Sequence, residues 1–503
     1  MIAEGKLWIG QGGQKTFLLP SMANRHGLIT GASGTGKTVT LKVMAESFSM
    51  LGVPVFLADV KGDLAGMCRP GDATDAIRKR LTSMGVTEFT LTDFPTCFFD
   101  VYGERGIPVR TTISEMGPML LSRLLRLTEA QAGVMNIAFR AADEASLLLL
   151  DLKDLRAMLT WVGDNRAEIS LRYGNVSVQS VGAILRALIA LEDQGGGQFF
   201  GEPAIDLNDW MRVDGRGRGA INVLDCVKLF LNPELYTAFM LFLLSELFER
   251  LPEAGDLDKP KMVFFFDEAH LLFSDAPQAL VREVERVAKL IRSKGVGVYF
   301  ISQSPSDIPN SVLMQLSNRV QHALRAYTPS DQKAVRAAAQ SFRPNPAFDT
   351  AEVIGSLGVG EALVSFLDER GAPQIVERAM ILPPQSRMGT IDDELRRQVI
   401  AQSPLAGKYD APVDRYSAYE HLNAHAEEAA REEARRLEEA EDEKRRIAEA
   451  KEEALRQREA AKTARTRAQA FKPIERAANS AMSSIGRELG KQLMRGLFGT
   501  GRR

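Results

Sequence analysis

A glycine-rich run near the start of the chain has the residue types and the spacing of a phosphate-binding loop. The run is Gly31-x-x-Gly34-x-Gly36-Lys37-Thr38, and it fits the phosphate-loop pattern with one extra glycine. Glycines at such positions allow positive φ and leave backbone N–H groups bare for an anion. A helix that starts at about Lys37 points its N-terminal dipole at the same anion. We therefore predict a nucleoside-triphosphate site rather than a turn that binds nothing.

The side chains of this loop have separate predicted roles. Lys37 would reach the β- and γ-phosphates, and the Thr38 hydroxyl would ligate Mg²⁺. The short apolar strand predicted at 28–30 and the helical pattern that follows the loop give the context that the motif requires. The predicted nucleotide-binding residues are Gly31, Ser33, Gly34, Thr35, Gly36, Lys37, Thr38 and Val39.

A second segment places two carboxylates at the end of an apolar run. The run Met-Val-Phe-Phe-Phe at 262–266 is followed by Asp267 and Glu268, and such a run is typical of a strand buried on both faces. Asp267 could hold the water shell of the magnesium ligated by Thr38. Glu268 could polarise the attacking water as a catalytic residue. The alternative is a buried strand that is followed by two acidic residues with no role in catalysis.

Two more strands end in polar side chains. The predicted strand 295–302 leads to Gln303, which could sense the γ-phosphate or orient the water, or could simply form a turn. The predicted strand 53–60 contains Asp59 near its end. An acidic residue at that position sits on the ligand-binding edge of an α/β sheet. Asp59 has two equally supported interpretations: it contacts magnesium or its waters, or it only caps the end of the strand.

These segments imply an α/β fold whose central sheet positions the site. Further predicted strands are a hairpin at 7–9 and 16–19, strands at 88–92, 219–225 and 319–325, and a hairpin at 362–367 and 374–381. Helices are predicted at 233–250 and 277–294, and the pattern is mainly helical from 107 to 211. We read the last region as an inserted helical subdomain.

The predicted domain organisation follows from these changes of pattern. Residues 1–106 form the N-terminal hairpin and the first part of the ATPase core, 107–211 the helical insert, 212–385 the second part of the core, 386–414 a linker, 415–470 a charged helical arm and 471–503 a basic amphipathic tail. The arm has 13 basic and 14 acidic residues, which is typical of a solvated helix or a weak coiled coil. The tail has seven basic residues against two acidic ones, and we favour docking on protein over an anionic surface.

Composition narrows the classes of function. A chain of 503 residues with 45% hydrophobic and 25% charged residues is ordinary for a soluble globular protein. The net charge of −2 gives no general basic bias toward nucleic acid, so any such contact is local or built by assembly. Three scattered cysteines, Cys68, Cys97 and Cys226, suit a reducing cytosol. The apolar stretch 235–248 is too short to span a membrane. We expect a cytoplasmic protein without a transmembrane segment.

With the phosphate loop, the Phe-Phe-Phe-Asp-Glu-Ala-His strand and the segment Ile-Ser-Gln-Ser-Pro-Ser-Asp-Ile-Pro in this order, the chain resembles the HerA–FtsK superfamily of P-loop ATPases. The resemblance covers about 1–385 and is closest to the bacterial HerA-like, YjgR-type proteins. It implies a RecA-like core with a mainly parallel sheet, ATP and Mg²⁺ as ligands, and a ring, usually hexameric, that moves DNA. It implies that Lys37 binds the phosphates and Thr38 the metal. It also implies that Asp267 is the acid associated with the metal, Glu268 the catalytic glutamate and Gln303 the sensor glutamine.

The resemblance also implies an arginine finger on the helix just past the acidic strand. Arg292, in the run Ile-Arg-Ser-Lys-Gly, looks like the match for this finger, and Arg286 is the second candidate. A finger donated by a neighbouring subunit would make activity depend on assembly. HerA itself carries a β-barrel ahead of the phosphate loop, whereas 26 residues stand there in this sequence, so we expect that partner-docking module to be missing.

These observations favour an ATP-driven, ring-forming DNA translocase or helicase. The main alternative is an ATP-gated assembly or scaffold ATPase that binds a protein partner through 415–503. A small-molecule kinase, with the helical insert as a lid, is a third hypothesis, but Glu268 beside Asp267 is better suited to activating water.

Overall fold

A computed structural model describes residues 1–273 and 278–497 of the chain, which divides into two compact units, Met1–Leu422 and Asn423–Arg503. The strands are β1 (Ile2–Ala3), β2 (Lys6–Gln11), β3 (Lys15–Leu18), β4 (Gly27–Thr30), β5 (Val55–Asp59), β6 (Thr96–Asp100), β7 (Ile107–Pro108), β8 (Ile221–Asp225), β9 (Met262–Phe266), β10 (Val296–Ser302), β11 (Asn318–Gln321), β12 (Glu361–Ser365) and β13 (Glu377–Ile381).

The helices begin with α1, which carries the phosphate-loop lysine, and end with the long C-terminal α15. They are α1 (Lys37–Met50), α2 (Asp75–Ser83), α3 (Ile113–Leu124), α4 (Glu129–Glu144), α5 (Leu152–Asp164), α6 (Arg166–Tyr173), α7 (Val178–Leu191), α8 (Gly197–Phe199), α9 (Pro233–Arg250), α10 (Gln278–Leu290), α11 (Asn310–Leu313), α12 (Pro329–Gln340), α13 (Thr350–Ser356), α14 (Asp393–Ala401) and α15 (Ala418–Leu497).

One sheet runs through the first unit in the order β1-β2-β13-β12-β11-β4-β10-β9-β5-β8-β6-β7, with β3 paired to β2. All pairs from β11 to β7 along this order are parallel. The pairs from β1 to β11 are antiparallel. The expected mainly parallel central sheet is therefore confirmed, as are the predicted hairpins, now β2–β3 and β12–β13. The two hairpins join where β13 pairs with β2 and extend the sheet past the parallel strands.

The parallel strands are buried because both of their faces are covered. In β9, Phe264 and Phe266 pack into the hydrophobic cluster on one face, whereas Val263 and Phe265 pack into the cluster on the other. Successive side chains of a strand point to opposite faces, so an unbroken apolar run serves both clusters. This arrangement fixes β9 in the middle of the sheet and sets the place where the chain leaves it at Asp267.

The helices α3 to α8 lie between β7 and β8 in the chain, within the region predicted to be mainly helical. Their starts are well specified, since Thr112, Thr128 and Asp151 each accept a hydrogen bond from the backbone in a capping box. These helices bury one apolar face of the sheet together with α9. Among the described residues no single helix is long and apolar enough to cross a membrane. The helical segments Arg166–Tyr173 and Val178–Phe199, which are bent by 101° relative to each other, are together long and apolar enough by length and composition alone.

Two predictions about elements are wrong in their details. Residues 88–92, predicted as a strand, form irregular backbone whose Thr92 N–H donates to the Gln385 carbonyl at 3.0 Å. The strand beside β8 is instead β6, which sequence reasoning missed. Its five residues are all buried, so both faces of this strand are covered, whereas the residues of 88–92 are partly or fully exposed. The predicted strand 319–325 is shorter in the structure, where β11 ends at Gln321.

The segment 386–422 belongs to the first unit and contacts the rest of it at several points. Glu46 of α1 accepts from the Gln385 N–H at 2.7 Å and from the Ser386 N–H at 3.2 Å. Further along, Arg396 of α14 is 4% exposed and reaches Asp225 at 3.3 Å. The predicted linker 386–414 thus contains a helix and buried contacts. Its boundaries, like the other predicted domain limits, stay predictions.

The long helix α15 carries the predicted charged arm. Its side chains in the second unit are exposed wherever the structure describes them, including those of Leu437, Ile447 and Leu455. Ion pairs between residues three or four apart, such as Arg456 with Glu452, run along it. Residues 498–503 of the predicted basic tail lie outside the described residues, as does Pro277, the start of the predicted helix 277–294.

Candidate active site

The glycine-rich run forms a loop between β4 and α1. Gly31 has φ +155° and Gly36 has φ +116°, values that favour glycine. A Cβ on Gly31 would lie 2.5 Å from the His322 Cβ, so this position has no room for a side chain. A Cβ on Gly34, at φ +75°, would meet nothing within 4 Å. The loop is therefore closed toward the protein and open on the side where its N–H groups can meet an anion.

Neighbouring strand ends hold this loop in place. The Ala32 N–H donates to the Ala323 carbonyl at 2.8 Å, and the Gly360 N–H donates to the Thr35 carbonyl at 2.9 Å. Within the loop, the Thr35 hydroxyl donates to the Ala32 carbonyl at 2.7 Å. These bonds tie the loop to the chain after β11 and to the turn before β12, so its shape depends on distant sequence.

The predicted nucleotide-binding side chains lie at the start of α1. Lys37 is 7% exposed and donates to the carbonyls of Gly31 at 2.6 Å and Ala32 at 3.1 Å. Burial lowers the pKa of Lys37, and the charge of Glu268 opposes that effect. Thr38 and Val39 follow in the first helical turn and are half-buried. Ser33 is exposed on the open side of the loop.

The two predicted carboxylates lie on the same sheet edge as the loop. β10 pairs with β4 on one side and with β9 on the other, so the tips of β4 and β9 are two strand spacings, or about 10 Å, apart. The charges of Asp267 and Glu268 both act on Lys37. The structure thus brings these three residues together at the carboxyl ends of neighbouring parallel strands.

Both carboxylates are removed from solvent. Burial raises the pKa of Asp267 to about 6, Lys61 opposes this, and the charge of Glu268 adds to it. Asp267 also accepts the Glu268 N–H at 2.9 Å. Glu268 has φ +49°, a left-handed conformation that is uncommon for residues other than glycine. Such backbone conformations recur at functional sites.

Lys61, which sequence reasoning did not single out, forms an ion pair with Glu268. Burial alone would raise the pKa of Glu268, but the hydrogen bond and the charge of Lys61 outweigh it and lower that pKa. His270 lies on the other side of the carboxylate, with Nδ1 3.3 Å from Oε2, although the two atoms do not form a hydrogen bond. The only sign in the sequence was that Lys61 follows two residues after Asp59 at a strand end.

Asp59 serves as a cap of that strand end. Its carboxylate accepts the Gly62 N–H at 2.7 Å and the Leu64 N–H at 3.1 Å, which closes the turn that carries Lys61. Burial raises the pKa of Asp59 to about 7. Of the two readings left open for Asp59, these contacts favour the cap.

Gln303 lies between the loop and the carboxylates. It is the first residue after β10, which separates β4 from β9, and its side chain is exposed. The turn behind it is fixed because Asp307 accepts from the Ser302 hydroxyl at 2.6 Å and from the Ser304 N–H at 2.8 Å. A glutamine at this position can reach toward either neighbour.

His322 is another residue of the site that sequence reasoning missed. It follows β11 and packs against the loop, with Nε2 2.8 Å from the Thr40 hydroxyl and Nδ1 2.9 Å from the Glu361 carbonyl. Burial lowers the pKa of His322 to about 4. Nothing in the local sequence marks this histidine, because its partners are 282 and 39 residues away.

The predicted arginine finger lies elsewhere. Arg292 belongs to the 3-10 turn Ile291–Lys294 immediately before β10, so it sits at the amino ends of the parallel strands, opposite the loop. Its guanidinium is 40% exposed and 3.7 Å from Asp256. Arg286, the second choice, donates to Glu283 at 3.0 Å and lies 4.6 Å from the Phe248 ring centre. The structure does not bring either arginine to the loop of its own chain.

The residues present fit a magnesium nucleotide. The open face at Gly34 leaves space beside bare N–H groups, and Glu268 Oε2 is buried without a hydrogen-bond partner. Magnesium is commonly held by one or two side chains together with phosphate oxygens and waters. Thr38 and Asp267 have the chemistry for that role at this edge.

Comparisons with known proteins agree with this geometry. The model of the helicase HerA-like C-terminal family matches residues 5–503. The chain is 28% identical over 167 residues to the DNA double-strand break repair helicase HerA of Saccharolobus solfataricus, covering 32% of this chain and 31% of that protein. It is 32% identical over 99 residues to the protein of the same name from Sulfolobus acidocaldarius, covering 20% and 19%. These matches span less than a third of the relatives' length.

A solved structure shares the fold. The plasmid coupling protein TrwB, in complex with a non-hydrolysable GTP analogue, aligns with 76% of this chain and 90% of its own, at a TM-score of 0.50 and 14% identity. At this identity the likeness concerns the arrangement of the sheet and helices.

Proposed function

Because the chain belongs to the helicase HerA-like C-terminal family, which matches residues 5–503, we propose that it is an ATP-hydrolysing motor that acts on DNA as a ring-forming translocase or helicase. The observation that carries this proposal is the meeting of Lys37 with Asp267 and Glu268 at one edge of a parallel sheet. A loop that only binds a nucleotide does not need a buried carboxylate placed to act on water.

Each residue of the site has a role that follows from its position. The N–H groups of the loop and Lys37 bind the phosphates, with Lys37 poised beside the loop carbonyls that it contacts. Glu268 orients the attacking water and accepts its proton. Thr38 and Asp267 would hold magnesium. When bound there, magnesium would supply neutralisation of the phosphate charge.

Gln303 and Arg292 extend this scheme beyond one site. Gln303 follows β10, the strand between those that lead to Lys37 and Glu268, and this position supports a role in sensing the γ-phosphate. Arg292 lies on the opposite edge of the sheet, so it can act only on the nucleotide of another subunit. A ring, of which a hexamer is the form that the resemblance implies, would supply that arginine at every interface.

DNA as the substrate is supported by the relatives, which are named DNA double-strand break repair helicases. The net charge of −2 means that contact with the DNA backbone has to be local. Assembly into a ring concentrates such a local patch around a central channel.

The test measures ATPase rates across single-stranded, duplex and gapped DNA, with the solution mass recorded with and without ATP. We expect a larger assembly with ATP and a rate that rises with DNA, and Lys37→Ala should abolish turnover. Lys259→Ala is a matched control, since Lys259 also donates to a backbone carbonyl, that of Leu51, at a distance from the site. A protein that hydrolyses ATP fully as a monomer and ignores every nucleic acid would contradict the proposal.

The second candidate is an ATP-gated scaffold ATPase that binds a protein partner through its arm. The exposed charged helix of the second unit favours it, because such a surface suits recognition by another helix. Ser417 donates to Asp154 at 2.6 Å and the Ala418 N–H donates to Leu148, so a truncation should keep these contacts and stop after Leu422. If the truncated protein keeps DNA-stimulated turnover, the arm is accessory to a motor. If turnover ceases to respond to DNA and a partner is lost, the scaffold is favoured.

A further inference from the structure

The Glu268 carboxylate is held from two sides. Its Oε1 is bound by the Lys61 ammonium, and its Oε2 faces His270 at 3.3 Å. The side chain is only 9% exposed, so few other groups can approach it. A general base needs a free lone pair directed at the water that it activates. In this arrangement Lys61 occupies Oε1, and Oε2, which has no hydrogen-bond partner, lies against the His270 ring.

The lysine that occupies Oε1 can move without unfolding the site. The turn that carries Lys61 is anchored by Asp59, which accepts the N–H groups of Gly62 and Leu64. The Lys61 side chain is 46% exposed, and a flexible chain of four carbons joins the lysine backbone to its ammonium group. The backbone is therefore fixed while the ammonium is free to exchange partners.

The charges around Lys61 indicate what could compete for it. Its ammonium acts on Lys37 as well as on Asp267 and Glu268. Asp63 also acts on Lys61 and Asp267, and Asp307 acts on Lys37, so the two lysines share this region with four carboxylates. A γ-phosphate bound at Lys37 adds strong negative charge within reach of the same ammonium.

We propose that Lys61 is a positioning residue that holds Glu268 in a resting ion pair, and that the γ-phosphate of the bound nucleotide competes for Lys61 and frees Glu268 to act on water. This inference rests on the proposed ATPase function and adds a regulator of the same site. ADP lacks the γ-phosphate, so it leaves the resting pair in place. With ATP bound, Glu268 and the γ-phosphate compete for Lys61, and the sites in which the pair persists hydrolyse ATP more slowly.

The experiment compares the full-length protein with Lys61→Met and Lys61→Gln, which remove the charge, and Lys61→Arg, which keeps it. Lys228→Met is the matched control, because Lys228 is 51% exposed, is paired with Glu104 and also follows a strand tip. The steady-state kcat and KM for ATP are measured with and without DNA, together with inhibition by ADP. Melting temperatures confirm that each variant is folded.

We expect the DNA-independent kcat of Lys61→Met and Lys61→Gln to rise about threefold to tenfold, the size of effect of one partly exposed ion pair. The preference for ATP over ADP should fall in both, because Lys61 no longer meets the γ-phosphate. Lys61→Arg should stay near the wild-type values, and Lys228→Met should match the wild type. A role in folding alone would lower kcat and would not change the choice between ATP and ADP.

A wild-type protein that hydrolyses ATP, with neutral Lys61 variants that are equally fast or slower, overturns this inference and leaves the proposed function standing. A wild-type protein that hydrolyses no ATP, alone or with DNA, overturns the proposed function and this inference with it. The wild-type assay thus separates the two failures.

Discussion

The two edges of the parallel sheet present different sets of predicted site residues. At the carboxyl edge, Lys37, Glu268 and Gln303 follow β4, β9 and β10 in adjacent positions. At the amino edge, Arg292 precedes β10 and its charge acts on Arg25 and His26, which precede β4. The seven residues of β10 separate the edges by about 20 Å.

The comparison teaches that one chain does not bring Arg292 to its own loop, so in the proposed mechanism this arginine acts on the nucleotide of a neighbouring subunit. Lys37 and Glu268 at the carboxyl edge are buried, whereas the Arg292 side chain is 40% exposed and lies 3.7 Å from Asp256. A buried site is pre-organised for its ligand, and an exposed arginine is available to a neighbour. In the proposed mechanism, the sheet therefore separates the residues that act in their own subunit from the arginine that acts on the next one.

The largest expected effect is at the carboxyl edge. Lys37→Ala should abolish turnover and weaken nucleotide binding together, since the same ammonium serves both. Binding of a fluorescent ATP analogue and the ATPase rate measure the two effects. If the variant keeps turnover, the loop is not the catalytic site and the comparison of edges fails.

At the amino edge, Arg292→Ala should reduce turnover by about 10³-fold while nucleotide binding stays close to wild type. The distinguishing measurement mixes this variant with Lys37→Ala. At mixed interfaces an intact loop meets an intact arginine, so part of the activity should return. Arg286→Ala is the control, and recovery with that variant instead would move the finger to Arg286.

An intermediate effect is expected at Gln303, which sits at the carboxyl edge but makes no fixed contact that the structure describes. Gln303→Ala should lower kcat by about 100-fold, the usual cost of one polar group that acts in the transition state, and leave KM nearly unchanged. Gln315→Ala, on the amino-edge side of β11, is the control. Equal loss in both variants would show that the effect is structural.

The smallest effect concerns His322 behind the loop. Burial lowers its pKa to about 4, whereas an unfolded histidine titrates near about 6.5. The unfolded chain therefore takes up a proton first as the pH falls, and acid favours unfolding over this window. Between pH 7 and pH 5 this costs the folded protein about 2 kcal/mol.

The measurement compares the unfolding free energy of wild type and His322→Gln at the two pH values. Buried carboxyls such as Asp59, whose raised pKa acts in the opposite direction, are common to both proteins and cancel. We expect the wild type to lose more stability than the variant on going to pH 5. Equal losses would mean that His322 is protonated in the folded state.

The parts of the site that the sequence predicted are those encoded by neighbouring residues. The glycines and Lys37 of the loop need only a turn between a strand and a helix, and Asp267 and Glu268 need only the end of a buried strand. The parallel sheet follows from runs such as 262–266 that are apolar without alternation. Each of these is a local pattern with a direct physical cause.

Other parts escaped sequence reasoning because their partners are remote. Lys61 meets Glu268 only after β5 and β9 pair side by side. His322 meets Thr40 across 282 residues. The segment 88–92 has the composition of a strand, but the place beside β8 is taken by β6, whose residues are buried on both faces.

The sequence by itself determined which residues could bind a triphosphate and act on water, because spacing along one loop and one strand is set by covalent geometry. The tertiary structure alone decided the order β4-β10-β9, which brings Lys37, Gln303 and Glu268 to one edge and leaves Arg292 on the other. Strand order depends on which buried faces pack best across the whole core, and that competition involves residues hundreds of positions apart.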